Sequence, residues 1–206
     1  MKIRIAYFTI GLLILTLGVA LIIKAGLGAS SWDALAVGES NTFHLSVGTF
    51  VFINGIILMF INAFLLKKRP EILAAGTIFV IGLLIDFWLV IILNAFNPKA
   101  IFIQAITLVI GIFVLAIGVA IYLQAKFPAS PMDTLMIAIS KRFHLSLRIS
   151  RIISEGLALI LAFLFKGAIG VGTIIVTLTL GPIVQYFYTY FNRRFTEGKS
   201  LELNPR

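Results

Sequence analysis

An all-α polytopic membrane protein is what this sequence predicts, and three observations carry the prediction. The 206 residues are 60% hydrophobic and 12% charged, with a mean hydropathy of +1.09, too little polar surface to cover a soluble globule. Apolar runs recur along the chain, each close to the roughly 20 residues that cross about 30 Å of hydrocarbon. Residues 10–46 are also written again at 110–146, without a gap and identical at 16 of 37 positions. Six spans are expected, at residues 5–23, 47–66, 72–93, 101–123, 147–165 and 170–191. Three spans per half is an odd number, so the second half must enter the bilayer upside down. The expected fold is one membrane domain over 1–206, built as two inverted-topology three-helix repeats. Repeat 1 covers about 5–93, repeat 2 about 101–191, and 192–206 form a cytoplasmic basic tail.

Orientation follows from the basic residues. With the N-terminus in the cytoplasm, 14 of the 17 lysines and arginines fall on the cytoplasmic side, and only Lys24, Lys99 and Lys166 fall outside. The repeat tests this separately. Asn41, Thr42, Gly48 and Val51 of the first copy become Lys141, Arg142, Arg148 and Arg151 in the second, so the motif turns basic only where it should meet the cytoplasm. The net charge of +9 therefore reports topology rather than a nucleic-acid partner. Lys2, Arg4 and the apolar run after them resemble a signal peptide, but the copy at 110–124 cannot be one. With no cysteine, thiolate metal sites and thiol nucleophiles are excluded.

In spans 1 and 4, Gly11, Gly18 and Ala25 match Gly111, Gly118 and Ala125 at seven-residue spacing. Such a small-residue stripe lets another helix backbone come close. After each of these spans comes a cap. Ser30 and Ser130 suit N-cap positions, Pro131 suits the first helical position, and Asp33 and Asp133 fall at the third, a capping-box arrangement with aspartate for glutamate. A short helix should start there and run to about Ser40 or Ser140. Gly26 and Gly28, or Pro128, allow the reversal before it. The short helices either lie flat at the interface or dip their starts into the membrane; two positive helix ends would then face the centre and hold a polar or anionic group.

Polar groups inside spans are costly, roughly 2.5 to 3.5 kcal/mol for a charge even on the lenient scale, so they mark candidate sites. Asp86, in span 3 with Gly82 one turn before it, is the first choice for a proton-linked or cation-contacting group. Glu155 lies four residues after Arg151 and seven after Arg148 on one face of span 5, which also suits a salt bridge. Asn54, whose counterpart is Ser154, and Gln185 in span 6 can line a cavity between the halves or bridge helices. Gly181-Pro182 should bend or interrupt span 6. His44 and His144 read as hinge residues, and no third donor gives them metal-ligand spacing. Phosphate loop, dinucleotide fingerprint and nucleophile elbow are all absent, so no enzyme, cofactor or metal is expected.

Gly-Leu-Gly-Ala-Ser-x-Trp-Asp-Ala-Leu at 26–35, Leu-Ser-Val-Gly-Thr at 45–49, Gly-Thr with a later Asp at 76–86, and Gly-x-Gly-Thr then Gly-Pro at 170–182 resemble the bacterial YczE/YyaS/YitT-type membrane proteins. The resemblance covers nearly the whole chain and implies a multi-pass protein of the bacterial plasma membrane. In the second copy Lys126-Phe127-Pro128 stands where Gly-Leu-Gly is expected.

The leading expectation is a small permease, with or without proton coupling, that binds a small polar or anionic solute between the halves. Ser30, Asp33, Asn54, Asp86, Ser130, Asp133, Glu155 and Gln185 are the candidate contacts, and both termini are cytoplasmic. The second is a solute-binding or accessory membrane subunit without transport of its own. Expected partners are the lipid bilayer, the solute, and a second copy or a larger assembly.

Overall fold

The computed structural model describes residues 2–125 and 130–202, with side chains over 4–125 and 130–192. The turn expected at Lys126-Phe127-Pro128-Ala129 and the side chains of the basic tail lie outside the described residues. Within them, all regular structure is helical: α1 (Lys2–Ala25), α2 (Ser31–Phe43), α3 (Val47–Leu66), α4 (Ile72–Asp86) continued by a π-helical turn (Phe87–Ile92), α5 (Ile101–Gln124), α6 (Pro131–Phe143), α7 (Leu147–Leu164) and α8 (Val171–Glu202). Five helices are long and apolar enough to cross a bilayer: α1, α3, α4 with its π turn, α5 and α8. The sixth expected span forms as α7, but its 18 residues carry Arg148, Arg151 and Glu155, so length and composition alone do not make it a span. The chain is a polytopic helical membrane protein.

Local chemistry explains the short helices. Ser30 and Ser130 cap α2 and α6 by accepting the Asp33 and Asp133 amides, and Pro131 occupies the first position of α6. The Asp33 carboxylate takes the Ser30 hydroxyl, at 2.5 Å. Both helices run about three residues past the expected end. His44 and His144 turn left-handed, with φ of 59° and 56°, and their amides donate to Ser40 O and Ser140 O. The serine hydroxyls then donate to Leu45 O and Leu145 O, sealing the same corner in both copies. Gly181-Pro182 does not interrupt α8, which continues to Glu202. The proline only removes the amide that Leu178 O would have accepted.

The centre of the fold is the seam between α1 and α5. A Cβ on Gly11 would meet Tyr122, one on Gly18 Leu115, one on Gly118 Leu15, and one on Gly111 Ile22. Contact numbers fall on α5 as they rise on α1, so the helices are antiparallel. Adding 100 to the α1 member of a pair and subtracting 100 from the α5 member yields another pair in the set. Arg4 Nε donates to Ala125 O (3.0 Å), tying the beginning of α1 to the end of α5.

The outer elements cross over. The short helix α2 packs on α7 as well as on α3, and α6 packs on α3 as well as on α7. The last helices break the likeness: α4 lies along α3, whereas α8 lies along α5 and has no comparable contact with α7 among the described residues.

Candidate functional site

The start of α2 is enclosed by protein, with Ser31, Ala34, Leu35, Ala36 and Gly38 buried, while residues 41–45 are exposed. Two glycines allow its entry. Gly26 and Gly28 hold φ of +71° and +113°, which a side chain would resist. This lets Gly172 N donate to Leu27 O (2.7 Å) and Ala29 N to Ala168 O (2.9 Å). Trp32 of α2 and Met132 of α6 then pack on one cluster, Leu58, Leu135 and Ile139, so the first turns of the two short helices converge on α3.

Two carboxylates, Asp33 and Glu155, come near each other here. Asp33 lies on α2, outside the spans, and dense packing around its carboxyl lifts it from 3.8 to about 6. The Ser30 hydroxyl opposes that rise, and the negative charge of Glu155 adds to it. Glu155 reaches this region from α7 while pairing with Arg151 Nε at 3.8 Å. Glu39, also on α2, is raised by burial and drawn back by the Asn54 amide, whose Nδ2 donates to Glu39 Oε2 at 2.6 Å.

The structure therefore brings together Ser30, Asp33 and Glu155, while Asn54 pairs separately with Glu39, six residues further along α2. The remaining candidates stand apart. Ser130 and Asp133 repeat the cap, the hydroxyl donating to Asp133 Oδ2 at 2.9 Å, but Asp133 is exposed where Asp33 is half-buried. Gln185 is exposed on α8. Asp86 ends the α-helical part of α4, where both oxygens are acceptors: Oδ2 from Ser46 Oγ (2.5 Å) and Oδ1 from Gly48 N (2.8 Å). It thereby ties α4 to the start of α3.

The sequence reading missed Glu39, because one acid on a short helix carries no pattern and its counterpart is Ile139. Ser46 had a signal, its N-cap position before Val-Gly-Thr, but nothing to join it to Asp86. Ser31 Oγ and Asn62 Oδ1 are buried without a partner. Asn62 lines a cavity of about 40 Å³ with Arg69, Glu71 and Thr134, and its Nδ2 donates to Pro131 O (2.8 Å). No group of three metal-ligating side chains occurs among the described residues.

The polar wall of this region is one face of α7. Arg148 and Arg151 are exposed and Glu155 is half-buried, whereas their counterparts Gly48, Val51 and Gly55 are buried, the two glycines against α4 residues. Ile149, Ile152, Ile153, Ile160 and Phe163 form an adjoining, exposed apolar side of α7, across the helix from the buried Ser150, Ser154 and Ala158.

Relatives of this chain match it over most of their length. It is 38% identical to "Uncharacterized protein YyaS" of Bacillus subtilis (strain 168) over 189 residues, 92% of this chain and 94% of the relative. It is 32% identical to an "Uncharacterized protein" of Haemophilus influenzae over 189 residues, 92% and 85% of the two chains. It is 30% identical to "Uncharacterized membrane protein YczE" of Bacillus subtilis over 186 residues, 89% and 84%. No solved structure matches. Residues 2–189 match the DUF6198 family of unknown function. This chain, an integral membrane protein of YyaS/YczE type, belongs to that family.

Proposed function

We propose that this protein is a small permease, six spans in two inverted repeats, that carries a polar or anionic solute through a centre between the halves. The observation that carries the reading is the set of charged and polar groups held partly buried where α2 meets α7, Asp33, Ser30 and Glu155, together with a second pair, Glu39 and Asn54, further along α2 where it meets α3. Charge in such a place is expensive and is kept where it contacts a substrate, an ion or a proton. The antiparallel α1–α5 seam, unchanged when the copies are exchanged, supports a two-fold axis in the membrane plane. The enclosed start of α2 supports a re-entrant element. Arg148 and Arg151 on the open face of α7 provide a basic approach for an anion, and α7, buried along Ser150, Ser154, Ala158 and Ala162, serves as the sixth span.

In this arrangement the N-terminus, the Lys67-Lys68-Arg69 turn and the open end of α7 are cytoplasmic. Reporter fusions after Arg69 and after Lys99 are expected to read cytoplasm and exterior; the reverse would overturn the orientation. The function is tested in two steps. A thermal-shift screen of the detergent-solubilised protein over amino acids, vitamins and organic anions finds the ligand of the native state. Uptake of that ligand into liposomes, with and without a proton gradient, then decides the mechanism. Accumulation supports the permease. Binding without accumulation would make the protein the solute-capturing subunit of a larger assembly.

A further inference from the structure

The halves are alike in sequence but shut differently at their two ends. On α3, Gly48 and Gly55 are buried against α4, and Val51 shares their face at 4% exposure. Gly82 O lies where a Cβ on Gly48 would go. On α7 the same positions are Arg148, Arg151 and Glu155, and the face is open.

One tie holds the closed end. Asp86 takes the hydroxyl of Ser46 and the amide of Gly48, clamping α4 onto the first turn of α3. The π turn follows at once, with Leu93 N donating to Trp88 O at 2.7 Å. Trp88 Nε1 donates in turn to Thr16 Oγ1 of α1 at 3.1 Å, so the chain is pinned to the seam two residues after the clamp. Among the described residues the second half has no such tie. Gly76-Thr77-Ile78 matches Gly172-Thr173-Ile174, which puts Pro182 where Asp86 would be, and Arg148 stands where Gly48 would be. The start of the short helix follows the same rule: Asp33 is half-buried and Asp133 exposed.

Two copies of one unit related by a two-fold axis can exchange their arrangements, each taking the shape the other now has. We infer that the protein has a second conformation in which α4 parts from α3 while α8 closes on α7, and that the Asp86–Ser46–Gly48 tie is the latch favouring the present one. This rests on the inverted-repeat permease reading and adds its regulation: the centre faces the open end of α7 now, and the α3–α4 end once the latch is released. An unlatched Val51 becomes what Arg151 is here, a residue that water reaches.

The natural absence of cysteine makes the test direct. Val51→Cys is the reporter for the α3–α4 end, Arg151→Cys for the α7–α8 end, and Ala116→Cys, fully buried in the seam, for general loosening. Each is labelled with a membrane-impermeant maleimide in right-side-out and inside-out vesicles. The expected result is little labelling at Val51→Cys and strong labelling at Arg151→Cys from the cytoplasmic face. Adding Asp86→Asn should raise Val51→Cys labelling from the exterior by about tenfold, lower Arg151→Cys labelling, and leave Ala116→Cys unlabelled. Ser46→Ala, which removes one of the two bonds and leaves the carboxylate, should give an intermediate rise. Unchanged labelling at Val51→Cys in both variants overturns the latch, and so does a rise that Ala116→Cys shares. Labelling that switches in a protein unable to move solute would refute the permease and leave the latch standing; uptake without switching would do the opposite.

Discussion

Replacing Gly18 by alanine adds one methyl group where the fold leaves no room for it. Its Cβ would lie 2.5 Å from Leu115 Cα and 2.7 Å from Leu115 Cβ, while unstrained carbon pairs sit at about 3.5 to 4.0 Å. The neighbours are backbone and a Cβ, so no side chain can swing away, and α1 must move off α5 by roughly 1 Å. Overpacking of this kind costs about 1–3 kcal/mol, partly offset by up to about 1 kcal/mol from the better helix propensity of alanine. At roughly 2–4 °C per kcal/mol for a chain of this size, Gly18→Ala should lower the melting temperature in detergent by several degrees. Gly118→Ala, whose Cβ would lie 2.6 Å from Leu15 Cα, should match it, because exchange of the copies carries one contact into the other. Gly76→Ala and Gly156→Ala are the controls. Nothing lies within 4 Å of either new Cβ, so their melting points should hold or rise. If Gly18→Ala melted with the controls, the seam would not be the tight contact described; if it and Gly118→Ala differed widely, the two-fold relation would fail.

Three further outcomes are expected. Burial raises Asp33 from 3.8 to about 6, so the folded state holds that proton more tightly than the unfolded chain; its contribution is full below about 4 and is lost as pH rises through about 6. Melting curves from pH 4 to 7 should therefore show a decline that Asp33→Asn flattens, and an unchanged profile in the variant would place the titration elsewhere. Asn54→Leu removes the amide from Glu39 and should cost about 1–2 kcal/mol. In a double-mutant cycle with Glu39→Gln the losses should be non-additive, and additive losses would show that the pair does not interact. Ser130→Ala deletes the cap of α6 and should cost about 1 kcal/mol; a variant that melts with the native protein would mean the cap contributes nothing.

The element order was legible along the chain because it depends on local properties. Hydropathy places the helices, Ser30 and Ser130 mark the starts of the short ones, and Pro131 confirms the second. The ends were less legible. His44 and His144 finish α2 and α6 in a left-handed conformation usually given to glycine, so composition offers no stop signal. Gly181-Pro182 reads as a bend or an interruption, and α8 runs through it without interruption. The candidate site was legible only in part. Asp33 stands out as part of a helix cap and Glu155 as a costly group in a span, yet nothing in their spacing brings them together, and Glu39 shows no pattern.

What the residues decide alone is the duplication, the apolar spans and the asymmetry of basic charge, since each is a property of residue types read in order. The packing decides the rest. Asp86 is a tie to Ser46 and Gly48 only because α4 lies along α3, and Asp33 feels Glu155 only because α2 crosses onto the other half. Equivalent positions on α3 and α7 differ in exposure because their neighbours differ. That difference arises from helices meeting in space, which the order of residues along one chain does not record.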